Sequence, residues 1–176
     1  LRPDVDVSFV DGNYRDFLNQ LESGDIDLYV QPFDSGLDRS DIGFQRIGTT
    51  GISCSMAIDH PLACRKSLTV GDLAECDVIV SCGCGLHVFD GLGQRLQSRE
   101  PNIRIWQFAT DSEVWTHVLT QGFILMNMSY SAPLLGSSVA VPIDWPETFE
   151  YGYVYRAPCS GVVRGFLDYA AGHQQI

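Results

Sequence analysis

Positive charge is scarce in this chain of 176 residues. Its 11 Lys and Arg stand against 22 Asp and Glu, which leaves a net charge of −11 and a pI of about 4.5. Nucleic acid is gripped by clustered cations that neutralise its phosphates. The few basic residues here are scattered, so the chain by itself is not expected to hold DNA. Long apolar runs are missing as well: a membrane-crossing helix needs ~20 consecutive apolar residues, and no stretch approaches that. Leu1-Arg2-Pro3-Asp4 offers neither the basic start nor the apolar stretch of a signal peptide, and without an initial Met it reads as a piece of a longer protein. No internal repeat, low-complexity tract or linker run occurs. The motifs G-x-S-x-G, H-E-x-x-H and the phosphate-binding P-loop are lacking, and His87, His117 and His173 have no catalytic company in sequence. An enzyme is therefore not expected.

What is present is a globular composition, 45% hydrophobic and 19% charged, in a chain long enough for one or two small domains with a real core. There are six cysteines, Cys54, Cys64, Cys76, Cys82, Cys84 and Cys159. In a secreted chain an even number would suit a disulfide framework. Here Cys54 sits inside an alternating apolar run, and Cys76 and Cys82 flank another, as small buried residues of a cytoplasmic protein do. Free thiols are expected.

Hydrophobic periodicity sets out the elements. Residues 5–10, VDVSFV, alternate as a strand does. Asn13 stands where a helix cap belongs, and Tyr14, Phe17, Leu18 and Leu21 recur at helical spacing until Gly24 stops the run. Further strands are expected at 26–30, 44–47, 52–58, 77–80, 103–108, 123–126, 139–143 and 149–155. Helices are expected at 70–75, at 86–99 with Phe89, Leu92 and Leu96 on one face, and after the capping box Thr110-Asp111-Ser112-Glu113. Two more are expected near 129–135 and after Ser160, the last with Val163, Phe166, Leu167 and Ala170 on one face. Strands alternating with helices predict an α/β protein whose sheets are mostly parallel.

Three short motifs are more specific. Gly24-Asp25-Ile26-Asp27-Leu28, Asp59-His60-Pro61-Leu62-Ala63 and Leu73-Ala74, in this order and at these separations, resemble the effector-binding domain of LysR-type transcriptional regulators. The resemblance extends over essentially the whole chain. It implies two α/β subdomains of the type 2 periplasmic-binding-protein fold, 1–76 plus 145–176 and an inserted 77–144, with an effector cleft between them. It also implies that DNA is bound by a winged helix-turn-helix domain N-terminal to this chain. The protein would be cytoplasmic, with no membrane contact, no cofactor and no metal, and would bind a small polar or anionic effector. It would form a homodimer in which each first subdomain meets the partner's second, with the helices expected at 13–23 and 86–99 as candidate contacts. The family's domain begins one strand and one helix before the position of Leu1. Near TQGFILMN it carries a G-x-G turn and a Pro, where this chain has Gly122 and Asn127.

By the same resemblance, effector contacts come from the turn Gly12-Asn13-Tyr14 and from Gln31, Pro32 and Phe33. Others come from Ser81, Cys82, Gly83, Cys84 and Gly85, and from Asn127, Met128 and Ser129, with Thr110 as a further contact. The stretch SCGCG would sit at the carboxyl end of the strand at 77–80, where open α/β sheets bind ligands. It leads into a helix whose free N–H groups attract anions; the bland reading is a strand-to-helix turn without a ligand. Tyr14, Phe33 and Met128 would add aromatic and thioether surface, which suits an aromatic or short-chain carboxylate. Zinc binding by Cys82 and Cys84 weighs less, because zinc takes about four ligands, usually from cysteine pairs two to four residues apart, and no second pair exists. Thiol-based redox sensing, as in peroxide-sensing members of the family, would use a thiolate at a helix N-terminus, but no cysteine in the following helix could resolve the oxidised form. A periplasmic solute-binding protein of similar fold is the other alternative, and the six cysteines and DHPLA argue against it. His60 reads as a structural residue before a proline turn, and Asp25 and Asp27 as a turn and strand edge.

Overall fold

A computed structural model describes residues 7–10, 14–34, 37–80, 89–129 and 136–172, with Tyr14 and Arg15 described by their backbone alone. The elements are α1 (Tyr14–Ser23), β1 (Leu28–Pro32), β2 (Ile42–Thr50), β3 (Ile52–Ala57), a 3-10 turn (Val70–Leu73), β4 (Asp77–Val80), α2 (Leu92–Arg99), β5 (Arg104–Trp106), α3 (Asp111–Gln121), β6 (Ile124–Met128), β7 (Ser138–Pro142), β8 (Phe149–Arg156) and α4 (Gly161–Gly172). They fall into two compact units, Leu1–Gly48 with Glu150–Ile176, and Thr49–Phe149.

In the first unit β8 lies between β1 and β2. β1 and β8 run antiparallel, with Leu28 opposite Tyr155 and Gln31 opposite Gly152. α1 buries Leu21 completely and packs Phe17 and Leu18 against a core of Tyr29, Leu37, Ile42 and Val154. Gly24, at φ 85°, ends the helix by reversing the chain, and its N–H donates to the Gln20 carbonyl at 3.0 Å. Ser160 caps α4, accepting from the Val163 N–H at 3.2 Å, and Val163 and Leu167 are buried beneath that helix.

The second unit holds the sheet β5-β4-β6-β3-β7. β4 is parallel to β5 and β6, and β3 is antiparallel to β6 and β7. The alternating side chains of β4 and β6 build two cores. Val78, Val80, Ile124 and Met126 join Leu92 and Leu96 of α2 on one face, and Ile79 and Leu125 join Val114 and Val118 of α3 on the other. α3 opens on the expected capping box: Glu113 N–H donates to Thr110 Oγ1 at 3.3 Å and Thr110 N–H donates to Glu113 Oε2 at 3.2 Å. Asp77 ties the sheet edge. Arg104 donates twice to it, at 2.8 Å each, and the Trp106 indole N–H donates at 2.8 Å. The Arg104 bonds hold the Asp77 carboxyl below its usual range.

Several expectations are corrected. Residues 7–10 of the expected first strand are not in a strand: Val7, Phe9 and Val10 are 65%, 95% and 55% exposed, and an unpaired strand has no ladder to hold it. The helix expected at 70–75 is the shorter turn Val70–Leu73, because Glu75 takes a left-handed conformation at φ 63° that turns the chain into β4. The helix expected at 86–99 begins at Leu92, after Gly91 at φ 69°; residues 86–88 lie outside those described. The helix expected near 129–135 lies outside them from residue 130 onward. Parallel pairing is confined, among the described ladders, to β4 with its two neighbours, so the sheets are mixed rather than mostly parallel. The division drawn from sequence assigns 49–76 and 145–149 to the first subdomain. In the structure β3 is bonded into the sheet of the second unit, and Leu68, Leu73 and Trp145 are in its core.

A Cβ added at Gly152 would run into the Gln45 carbonyl, which is backbone and cannot step aside, whereas one added at Gly165 in α4 meets nothing within 4 Å. Gly152→Ala is therefore expected to lower stability by about 1–3 kcal/mol, and Gly165→Ala to raise it by up to about 1 kcal/mol. Urea denaturation reads both, and equal displacement of the two midpoints would contradict this packing.

Candidate functional site

In the second unit the parallel strands β4, β5 and β6 end on one edge of the sheet, at Val80, Trp106 and Met128. α2 and α3 each run back from that edge, so both helix N-termini lie there, where backbone N–H groups and the helix dipole favour negative charge. A cavity of about 210 Å³ opens beside α2, lined by Val80, Phe89, Gly91, Gln94, Ile105 and Gln107 among others. Gln94 and Gln107 were not foreseen; as polar residues flanking periodic apolar ones they carry no signal of their own.

The expected contacts divide as follows. Ser81, Cys82, Gly83, Cys84 and Gly85 lie outside the described residues, as do Gly12 and Asn13 and the side chain of Tyr14. Thr110 is at the sheet edge and exposed, with its hydroxyl engaged by the α3 cap. Asn127 is half-buried and organises a polar cluster: Ser53 Oγ donates to its Oδ1 at 2.9 Å, and its Nδ2 donates to Ser55 Oγ at 3.0 Å. Met128 is 3% exposed and Ser129 is at the surface, its N–H donating to the Gly51 carbonyl at 3.0 Å. Ser53 and Ser55 were missed in sequence, although polar residues at every second position of the apolar run ISCSMAI are a legible sign of a buried polar row.

In the first unit Gln31 and Pro32 are buried at the carboxyl end of β1. Phe33 follows, 45% exposed and edge-on to Phe44 with ring centroids 5.1 Å apart. Its N–H donates to the Glu150 carbonyl at 2.7 Å. α1 leads back into β1, and its Phe17 stacks on Tyr29 at 5.7 Å. The helix therefore starts, at Tyr14, over the end of the strand that carries Gln31.

Among the described residues no three His, Cys, Asp or Glu side chains converge as metal ligands, and no helix is long and apolar enough to cross a membrane. Cys54, Cys64, Cys76 and Cys159 are free thiols. Burial pushes the Cys54 thiol up to about 12, so it stays protonated and inert.

The sequence matches the LysR substrate binding domain over residues 1–175. The chain belongs to this family of regulatory domains, whose fold is the type 2 periplasmic-binding-protein arrangement of two α/β subdomains. No curated protein matches it in sequence. Solved structures are similar in fold. The regulatory domain of CcmR from Synechocystis PCC6803, in complex with 2-PG, is 18% identical with a TM-score of 0.65, over 99% of this chain and 86% of that one. The effector-binding domain of QuiR in complex with shikimate is 20% identical with a TM-score of 0.66, over 95% and 80%. HinK, a LysR family transcriptional regulator from Pseudomonas aeruginosa, is 18% identical with a TM-score of 0.70, and this chain spans 98% of itself but only 61% of HinK.

His60, in the motif DHPLA, has a structural place. Its Nδ1 accepts from the Leu62 N–H at 3.2 Å, and it hydrogen-bonds the Gly122 backbone at the end of α3. Burial pushes the imidazole below its ordinary value, against the opposing pull of Gly122 and Asp59. A histidine depressed in the folded state stabilises fully above its unfolded value near 6.5, and that stability is lost as pH falls through the folded value. The protein is expected to lose more stability between pH 7.5 and 5.5 than His60→Gln does, by urea denaturation at each pH; parallel losses would refute the role.

Proposed function

We propose that this chain is the effector-sensing part of a cytoplasmic LysR-type transcription regulator, in which a small polar or anionic molecule controls DNA binding by a winged helix-turn-helix domain outside the chain. The match to the LysR substrate binding domain over residues 1–175 carries this reading. It is supported by the bound molecules of similar domains, 2-PG in CcmR and shikimate in QuiR, and by the acidic charge of −11, which leaves DNA contact to another part of the protein. The proposed effector contacts are Gly12, Asn13, Tyr14, Gln31, Pro32 and Phe33, and Ser81 to Gly85 with Thr110, Asn127, Met128 and Ser129. In a thermal-shift screen of organic acids and amino acids, an effector at a hundredfold excess over its Kd is expected to raise Tm by roughly 5–10 °C. An effector whose shift survives both Asn127→Leu and Phe33→Ala would sink the proposed contacts.

The protein is further proposed to act as a homodimer, with α1 and the segment 86–99 as contacts. The exposed apolar side chains Val7, Phe9 and Val10, which precede α1, add surface of the kind that association covers. Sedimentation velocity is expected to show a dimer; a monomer at the highest soluble concentration would overturn the assembly.

A further inference from the structure

Gln31 is 4% exposed, yet neither Oε1 nor Nε2 of its side chain has a hydrogen-bond partner. Stranding an amide on both its donor and its acceptor side is costly, and a buried polar group left so calls for an explanation. Its place in the fold supplies one. Gln31 follows Tyr29 by two residues on β1, so the two share the face that α1 covers. Tyr29 already lies under Phe17. One step further along the strand is the level of the first turn of α1, whose N–H groups have no partner within the helix. A buried donor, a buried acceptor and a helix N-terminus thus meet at the end of one strand.

We infer that Gln31 selects the effector, and that the effector is a carboxylate with a hydrogen-bond donor on the neighbouring carbon, a 2-hydroxy or 2-amino acid. The carboxylate accepts from Gln31 Nε2 and from the first turn of α1. The adjacent hydroxyl or ammonium donates to Gln31 Oε1. A plain carboxylic acid satisfies the donor and leaves Oε1 stranded in the complex as it is in the free protein. Discrimination by an unmatched polar group in a buried site is much sharper than discrimination by apolar shape. The inference rests on reading the chain as an effector-sensing domain and names the chemistry of that effector.

The test compares the unaltered protein with Gln31→Met, which keeps the length of the side chain and removes both polar ends. Thermal shifts are measured with lactate, alanine and propionate, and with mandelate, phenylglycine and phenylacetate. Free of ligand, Gln31→Met is expected to melt about 2–4 °C higher than the unaltered protein, because no amide is stranded. With ligand, the unaltered protein is expected to be stabilised by a hydroxy or amino acid at least tenfold more effectively than by its matched plain acid, and Gln31→Met to lose that preference. The hydroxy and amino members of each set distinguish the two donors. Equal response to a matched pair, or a preference kept by Gln31→Met, overturns the inference while leaving the effector-sensing reading intact. No shift with any of the six overturns the proposed effector class. A lower melting point for ligand-free Gln31→Met overturns the stranded amide itself, whatever the ligands do.

Discussion

Six consecutive residues of β3, Ile52–Ala57, are buried, and two of them are serines. A strand enclosed on both faces can carry hydroxyls only where they are bonded to something equally enclosed. Asn127 on β6 meets that requirement for both, and Ser53 is its direct partner in the ladder. The polar pair therefore specifies the register of β3 against β6. A slip by one residue would carry the serines into the apolar core and Cys54 and Met56 away from it. With the register set, Ile52, Cys54 and Met56 point into the core beneath α2. The other edge of β3 is left to pair with β7, and residues 49–76 are held in the second unit rather than the first.

The two units handle buried polarity in opposite ways. The cluster at Asn127 is closed, each amide atom answered by a serine hydroxyl. At Gln31 the amide is buried with nothing in reach. The difference has a physical consequence for binding. A satisfied cluster rigidifies the strand it sits on and exchanges its partners reluctantly. An unsatisfied amide raises the free energy of the empty protein, so any molecule that completes its bonds gains affinity without needing a large apolar contact.

Most of the elements are legible in the sequence because each has a local cause: the helical spacing of Phe17, Leu18 and Leu21, the Thr110–Glu113 box, the Ser160 cap, the alternation of β3 and β8. What the sequence hides is decided at a distance. VDVSFV has the composition of a strand, but Val7 to Val10 lack a neighbour to pair with, and propensity without a ladder does not hold a strand. The boundary between the units depends on which strands β3 joins, and its pattern alone is silent on that. Gln31 and Asn127 were both picked out by family resemblance. Only the structure separates them, because whether an amide is answered depends on side chains 72 or more residues away, as Ser55 is from Asn127.

The charge of the chain constrains what kind of recognition it can use. Basic residues are few, and many are occupied: Arg39 pairs with Glu22 and Asp41, Arg46 with Glu150, Arg65 with Asp72, Arg95 with Glu147 and Arg104 with Asp77. Arg99 lies over the Trp145 ring. Exposed pairs of this sort add little stability, but they cancel cations that would otherwise draw phosphate. The net field around the chain is repulsive to anions, and at physiological salt it fades over about 8 Å. An anionic effector therefore gains nothing from long-range steering. Its affinity has to arise at contact, from fixed backbone N–H groups at helix starts and from buried amides, which act over a bond length and are little screened. The same arrangement that keeps nucleic acid off this surface thus leaves short-range, geometrically demanding hydrogen bonding as the means by which it can distinguish one small acid from another.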